Sequence, residues 1–465
     1  LTVTCWQRHG GADLSAADLD MLDTRRPVLL LSGDCHSIVL NRRAMSVYRD
    51  FLQRDPPGGR VIRDSQGRPT GVVEDGLAMS MYDLHSAQGP RAAAETLRKA
   101  FSALNAQGVT AVMDARATDE ALDAAVRLWE INDLTVRLSG AWEITPSDCP
   151  GPEAAPGALS DADRRMARYR RGPGGPDPGT AAWPDPFTRP GIALRHVKMF
   201  VDGMPGNGTA FLRRPYLAVP GPNGRLAPPD PDRAAGLCYF QAQTLAAIFR
   251  AAADYGLHPH CHAIADGALD LVLEAAQALR SSRPGLDLRP AAAHLDLVAR
   301  DQYPRMRELG VAAVLSFQWA ALAGEDLAEI LGMYGEDRFS GAETHGRFLD
   351  AGVTVGYGSD WPVEPLDQWD NFQAGALRRI PAGAGAAFPR LASDRDLTVP
   401  ELLFAATRGS AWIMGQETCC GSLAEGRPAD LAVLDGPLLS REPASLKDTR
   451  VLRTLVGGRT VWRTD

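Results

Sequence analysis

The chain has no apolar run approaching the ~20 residues that a membrane-spanning helix needs, which argues against a membrane partner. It has no surplus of positive charge. Its 49 Lys and Arg stand against 57 Asp and Glu, for a net charge of −8. Without a basic excess to displace counterions, a nucleic-acid backbone is excluded as the main partner. Cysteine is sparse: seven residues, an odd number scattered apart from Cys419-Cys420. That usage builds no disulfide framework and points to a reducing, cytoplasmic compartment. No basic stretch followed by an apolar run opens the chain, so no signal peptide is visible. The sequence starts in mid-pattern at Leu1, not at Met, and a segment missing before it is expected.

What is present is ordinary for a soluble globular protein: 465 residues, 45% hydrophobic and 23% charged, enough for a large core and more than one structural unit. Short apolar runs ending in polar tips recur. VLLLSG (28–33) leads into Asp34-Cys35-His36-Ser37, and GVTAVMDA (108–115), LTVRLSGAW (134–142) and IALRHVKMFVDG (192–203) follow. Strands are expected near 109, 135, 195, 257, 289, 312 and 353, separated by helical apolar spacing at 240–255, 266–280 and 298–309. Such alternation predicts an α/β fold with parallel strands wound right-handedly. A closed (β/α)8 TIM-type barrel needs one strand more, absent or unrecognised before residue 100. The Gly/Pro-rich segments 149–191, 203–236 and 380–392 read as loops at the mouth. The Thr398/Glu401 pair predicts a capping box opening a helix over 398–414, and a β-rich tail follows.

Lys198, His262, His294 and Asp360 each end one of these runs. His262 to His294 is 32 residues and His294 to Asp360 is 66, about one and two βα units of a fold that spends roughly 250 residues on eight. Catalytic groups of such barrels stand at the C-terminal ends of different strands, so the four can converge, and the set suits a divalent metal. Each has a plainer reading. His260 and His262 could be a stray pair at a strand tip, His294 a core histidine and Asp360 a turn residue. Lys198, among apolar neighbours, could pair with Asp202 or Asp114. Asp114 itself could support the site or cap a helix. Cys261 is expected to face away from His262. Gln318, Trp319 and Trp361 are candidates for substrate contact. Phe317, Trp319, Trp361 and Trp369 either wall an apolar pocket or simply pack.

The stretches SGDCHSIVLNRRAM, GRPTGVVED, GVTAVMD, VKMFVDGMPGNGTAFLRRPY, HCHAIADGALD, AAAHLDLV, GYGSDWPVEP and GSLAEGRPADLAVLD, in this order, resemble the amidohydrolase superfamily, in particular its YtcJ-like (Amidohydrolase 3, N-substituted formamide deformylase-like) branch. The resemblance implies a metal-dependent hydrolase barrel with a flanking β-sandwich. It makes His262 and His294 the metal ligands of the fifth and sixth strands, Asp360 the acid of the eighth, and Lys198 a carboxylated lysine bridging two metals. His36 and Asn41 match a His-Ser-x-x-x-Asn stretch expected to reach the substrate, with His36 a candidate catalytic residue. The sequence departs from the pattern in one respect: no His-x-His precedes residue 100. By this reading residues 1–100 are an insertion between the first and second barrel strands, 101–420 the barrel, and 421–465 part of an incomplete sandwich.

The implied activity is hydrolysis of a C–N bond other than a peptide bond, in a small-molecule amide. One or two divalent ions, Zn2+ by preference, supply the activated water, and Asp360 carries its proton to the leaving nitrogen. Two alternatives stand beside it: a catalytically inactive barrel that binds or scaffolds, favoured by the missing His-x-His, and a deaminase of the same fold. A homodimer is left open.

Overall fold

Apolar β-branched and leucine-rich runs form the first sheet, with strands β1 (Thr2–Trp6), β2 (Leu29–Ser32), β3 (Ser37–Leu40), β4 (Gly59–Arg63) and β5 (Pro69–Asp75) in the order β1-β2-β3-β5-β4. Every residue of β2 and β3 is buried. Leu29, Leu31, Ile38, Leu40 and Val73 form one core under the helix Gly76–Ser86, and Leu30, Val39 and Val72 form a second on the opposite face. The computed structural model describes residues 1–6, 14–22, 25–53, 58–171, 190–220, 226–321, 324–379 and 393–464. The segment 380–392 and parts of the other two expected mouth loops lie outside the described residues.

The second sheet holds the seven expected parallel strands: β6 (Ala111–Ala117), β7 (Arg137–Glu143), β8 (Ile192–Phe200), β11 (His258–Ala263), β12 (Ala291–His294), β13 (Ala312–Leu315) and β14 (Val355–Tyr357), paired in that order. Two-residue strands β9 (Val219–Pro220) and β10 (Leu226–Ala227) form a ribbon between β8 and β11. Helices follow each of the larger strands in the chain, the alternation expected of parallel βα units. Val197, Met199, Cys261, Ala292 and Leu315 belong to the large core between sheet and helices. Cys261 therefore faces the helices and not the site. Among the described residues β6 and β14 are the two edges of this sheet, so its closure into a complete barrel is not seen.

The loop expected over 149–191 is corrected in part. Residues Ala155–Ala167 form a helix with Leu159, Ala162 and Met166 buried. With Ala155 these make four buried apolar residues at helical spacing, enough for an amphipathic face, although the surrounding Pro, Gly and Arg hide it. The Thr398/Glu401 capping box is present and opens Val399–Phe404. The tail forms an antiparallel sheet of β15 (Leu431–Leu434), β16 (Val451–Val456) and β17 (Arg459–Arg463). Val433 and Leu452 on it are 42% and 40% exposed. No helix among the described residues is long and apolar enough to cross a membrane.

Candidate active site

Strand register decides which side chains meet. His260 pairs with Lys198 and His262 with Phe200, so these four lie on one face of β8 and β11. His294 pairs with Ala263, whose side chain points the other way. Its backbone, however, takes a left-handed φ of 78°. That turn at the strand end brings the ring back: the His262 and His294 ring centroids are 4.6 Å apart. Asp360 also sits at positive φ, 53°. Non-glycine residues held in this region cost free energy and concentrate at functional sites.

His262 is held from behind. Its Nδ1 lies 3.0 Å from Asp202 Oδ1, which also accepts the Ile264 amide at 3.1 Å, while Asp202 Oδ2 accepts the amides of Ala265 at 3.2 Å and Phe211 at 3.0 Å. Burial pushes the Asp202 carboxyl up to about 8, against the pull of those amides. Burial, and next the neighbouring His294, hold His262 well below the ordinary imidazole value. A positive charge at the far side of the ring would favour the carboxylate with the proton on Nδ1, the usual arrangement behind a metal-bound histidine. Nε2 of His262 and Nδ1 of His294 are both buried without a hydrogen-bond partner. Burial lowers His294 to about 4, with Asp360 opposing. Both rings are thus neutral at pH 7 and each leaves a lone pair unused, a donor set that fits a divalent metal. Among the described residues no three His, Cys, Asp or Glu side chains already converge as a complete metal cage.

Lys198 is 4% exposed and makes no ion pair with Asp202 or Asp114, so that expectation is corrected: Asp202 serves His262, and Asp114 accepts the Arg116 amide at 3.1 Å. Burial lowers the Lys198 ammonium to about 8, opposed chiefly by Asp360, and its Nζ lies 4.5 Å from the Phe200 ring centroid. A depressed amine is the form that can react with carbon dioxide. His260, beside Lys198, is depressed by burial first and then by Lys198.

A family model described as amidohydrolase matches residues 8–462. The chain belongs to the amidohydrolase family. YtcJ of Bacillus subtilis is 26% identical over 97% of this chain and 76% of its own length. The N-substituted formamide deformylase of Arthrobacter pascens is 24% identical over 95% of this chain and 74% of its own. A metal-dependent hydrolase of Pyrococcus horikoshii shares the fold, with a TM-score of 0.67 and 20% identity over 95% of this chain and 78% of that one.

Around this amidohydrolase site the remaining candidates separate. His36 is buried on the turn between β2 and β3, with its ring 5.6 Å from His262 and 6.0 Å from Phe200. Burial pulls its pKa down, but the hydrogen bond to Asp75 and that charge leave it raised overall. Trp319 stacks on His294 at 5.3 Å and 25°. Gln318 donates to Ser359 O at 2.8 Å, next to Asp360, and keeps a buried Oε1 without a partner. Trp361 is 37% exposed. Phe317 and Trp369 pack in the core with Phe372. Asn41 is a correction: its Oδ1 accepts the amides of Val28 at 3.0 Å and Ala44 at 2.8 Å, and its Nδ2 donates to Arg26 O at 2.9 Å. It caps the helix Arg42–Val47 and holds the first sheet, with those atoms turned to backbone and not to a substrate. Asp202 and Asp75 were missed as site residues. Each ends a β-run just before glycine, in MFVDG and VVEDG, a weak signal that gave no hint of its histidine partner.

Proposed function

We propose that this amidohydrolase cleaves a C–N bond other than a peptide bond, in an N-formyl or N-acyl amine, with a divalent ion, zinc by preference. The observation that carries the reading is the pair of adjacent buried imidazoles with unpartnered nitrogens, His262 backed by Asp202 and His294 turned toward it by its left-handed backbone. His262 and His294 would hold the ion, with Lys198, carboxylated, as an oxygen ligand beside them. When bound, the ion supplies Lewis acidity toward the amide carbonyl and an acidified water. Asp360 would take the water's proton and deliver it to the leaving nitrogen, a role supported by its position three residues past the end of β14 and by its charge acting on both Lys198 and His294. Gln318, Trp319 and Trp361 bound the substrate side, and His36 reaches in from the first sheet. The seven parallel strands are read as the wall of a (β/α)8-type barrel.

The name of the deformylase relative supports the amide class. The test is turnover of a panel of N-formyl and N-acyl alkylamines by zinc-loaded protein, with its metal content measured. Asp360→Asn is expected to keep metal and substrate binding while lowering kcat by about 10²–10⁴-fold. Near-parental kcat in that variant would remove its role. The lack of a complete metal cage among the described residues favours a second reading, a binding protein without catalysis. Negligible metal uptake would decide for it.

A further inference from the structure

Asp75 is 1% exposed at the end of β5, where its backbone takes a φ of 58° immediately before the helix Gly76–Ser86. Its Oδ1 is the meeting point of two parts of the molecule. From the first sheet, His36 Nδ1 approaches it at 3.2 Å. From the loop after β8, Asn207 Nδ2 approaches at 3.4 Å and Thr209 Oγ1 at 3.5 Å. Asn207 also accepts from Ser37 Oγ at 3.3 Å and reaches His36 O at 3.4 Å. The loop itself is tightly seated, since a Cβ on Gly203 would stand 2.2 Å from Thr209 Oγ1. One residue before that glycine is Asp202, which holds His262. Two carboxylates therefore pin two imidazoles whose rings are 5.6 Å apart, and one short loop serves both. The Nε2 of His36 makes no hydrogen bond to any described residue. A buried carboxylate is a costly way to tie a loop to a sheet, and a strained backbone position adds to that cost.

We propose that Asp75 is a positioning residue for the reaction: it sets the His36 ring so that Nε2 meets the scissile amide, which makes the first sheet a working part of the site. This rests on the hydrolase reading above. The Nδ1 proton points to the carboxylate, so the ring cannot flip and only Nε2 is left to face the substrate.

The test uses the full chain loaded with zinc, N-butylformamide as the probe, and the variants Asp75→Asn, His36→Gln and their double. Each single variant is expected to keep the parental metal content and lower kcat by about 10²-fold, the scale of a small misplacement, with a lesser change in KM. The double variant is expected to be no slower than His36→Gln, because Asp75 acts through that ring. Additive losses, or parental kcat in Asp75→Asn, would overturn the proposal. Should Asp75→Asn melt early, His36→Gln decides, since it leaves Asp75 with Asn207 and Thr209. Loss of kcat at parental Tm supports the proposal, and parental kcat overturns it. A second readout needs no turnover: in 15N-histidine NMR the His36 Nε2 resonance shifts on adding N-butylformamide to the parent and not to Asp75→Asn. Absence of hydrolysis with that shift present would remove the hydrolase reading alone, and absence of the shift would overturn the positioning role.

Discussion

At the scale of single residues, the proposed chemistry rests on side chains whose burial contradicts their polarity. Two neutral imidazoles with buried, unpartnered nitrogens are destabilising unless something binds them. His262→Ala and His294→Ala are each expected to remove most of the bound zinc while the circular dichroism spectrum stays parental, and parental zinc in both variants would refute the ligand assignment. The same burial sets a pH window. A metal competes with protons for an imidazole, and an ordinary histidine takes its proton near 6.5. With His294 lowered to about 4 by burial, its lone pair stays available through pH 5 and is lost only as pH falls toward 4. Zinc retained after dialysis at pH 5 and released near pH 4 is the expected result; release already at pH 6 would contradict it.

At the scale of elements, the first sheet is held by a few polar side chains bonded to backbone. Asn41 satisfies the buried amide of Val28 and caps the next helix at once. Asn41→Ala is expected to cost about 1–3 kcal/mol, one lost cap plus one unsatisfied buried amide. A lower Tm with parental metal content is the expected signature, whereas a parental Tm with a raised KM would restore the substrate role first expected for it. The parallel strands were legible because each apolar run is bounded by turn residues and spaced by amphipathic helices. The helix Ala155–Ala167 was not, because its apolar face is only four residues, two of them alanine, in a Pro- and Arg-rich segment.

At the scale of the whole molecule, the tail sheet is joined to the parallel sheet by an ion pair buried on both sides. Arg137 on β7 is fully buried, and Asp430, whose side chain is 2% exposed, receives its Nη2 at 3.0 Å and also the Gly457 amide at 2.7 Å. Removing one partner strands the other's charge, so Asp430→Asn is expected to cost about 3–5 kcal/mol. Replacing both with apolar residues of similar volume recovers much of that. Chemical denaturation of the single and double variants measures the difference, and a single variant as stable as the parent would show the pair to be dispensable. The contact lies 293 residues apart in sequence, and nothing in either local stretch announces it.

The sequence by itself determined the α/β class of fold, the order of the parallel strands and the family, and it singled out His262, His294, Lys198 and Asp360 as the candidate set on which the proposed function rests. These follow from periodicity, strand-end position and motif, all of which are local. Tertiary structure decided which groups face one another. Register alone would send His294 to the wrong face, and the strand end turns there through two consecutive left-handed residues, His294 and Leu295. Asp202 proved to be the partner of His262 and not of Lys198, and Asp75 the partner of His36, because hydrogen bonds across tens of residues depend on how strands and loops stack. Pairings of this kind leave no periodic trace in the chain, since each needs only one residue at each end.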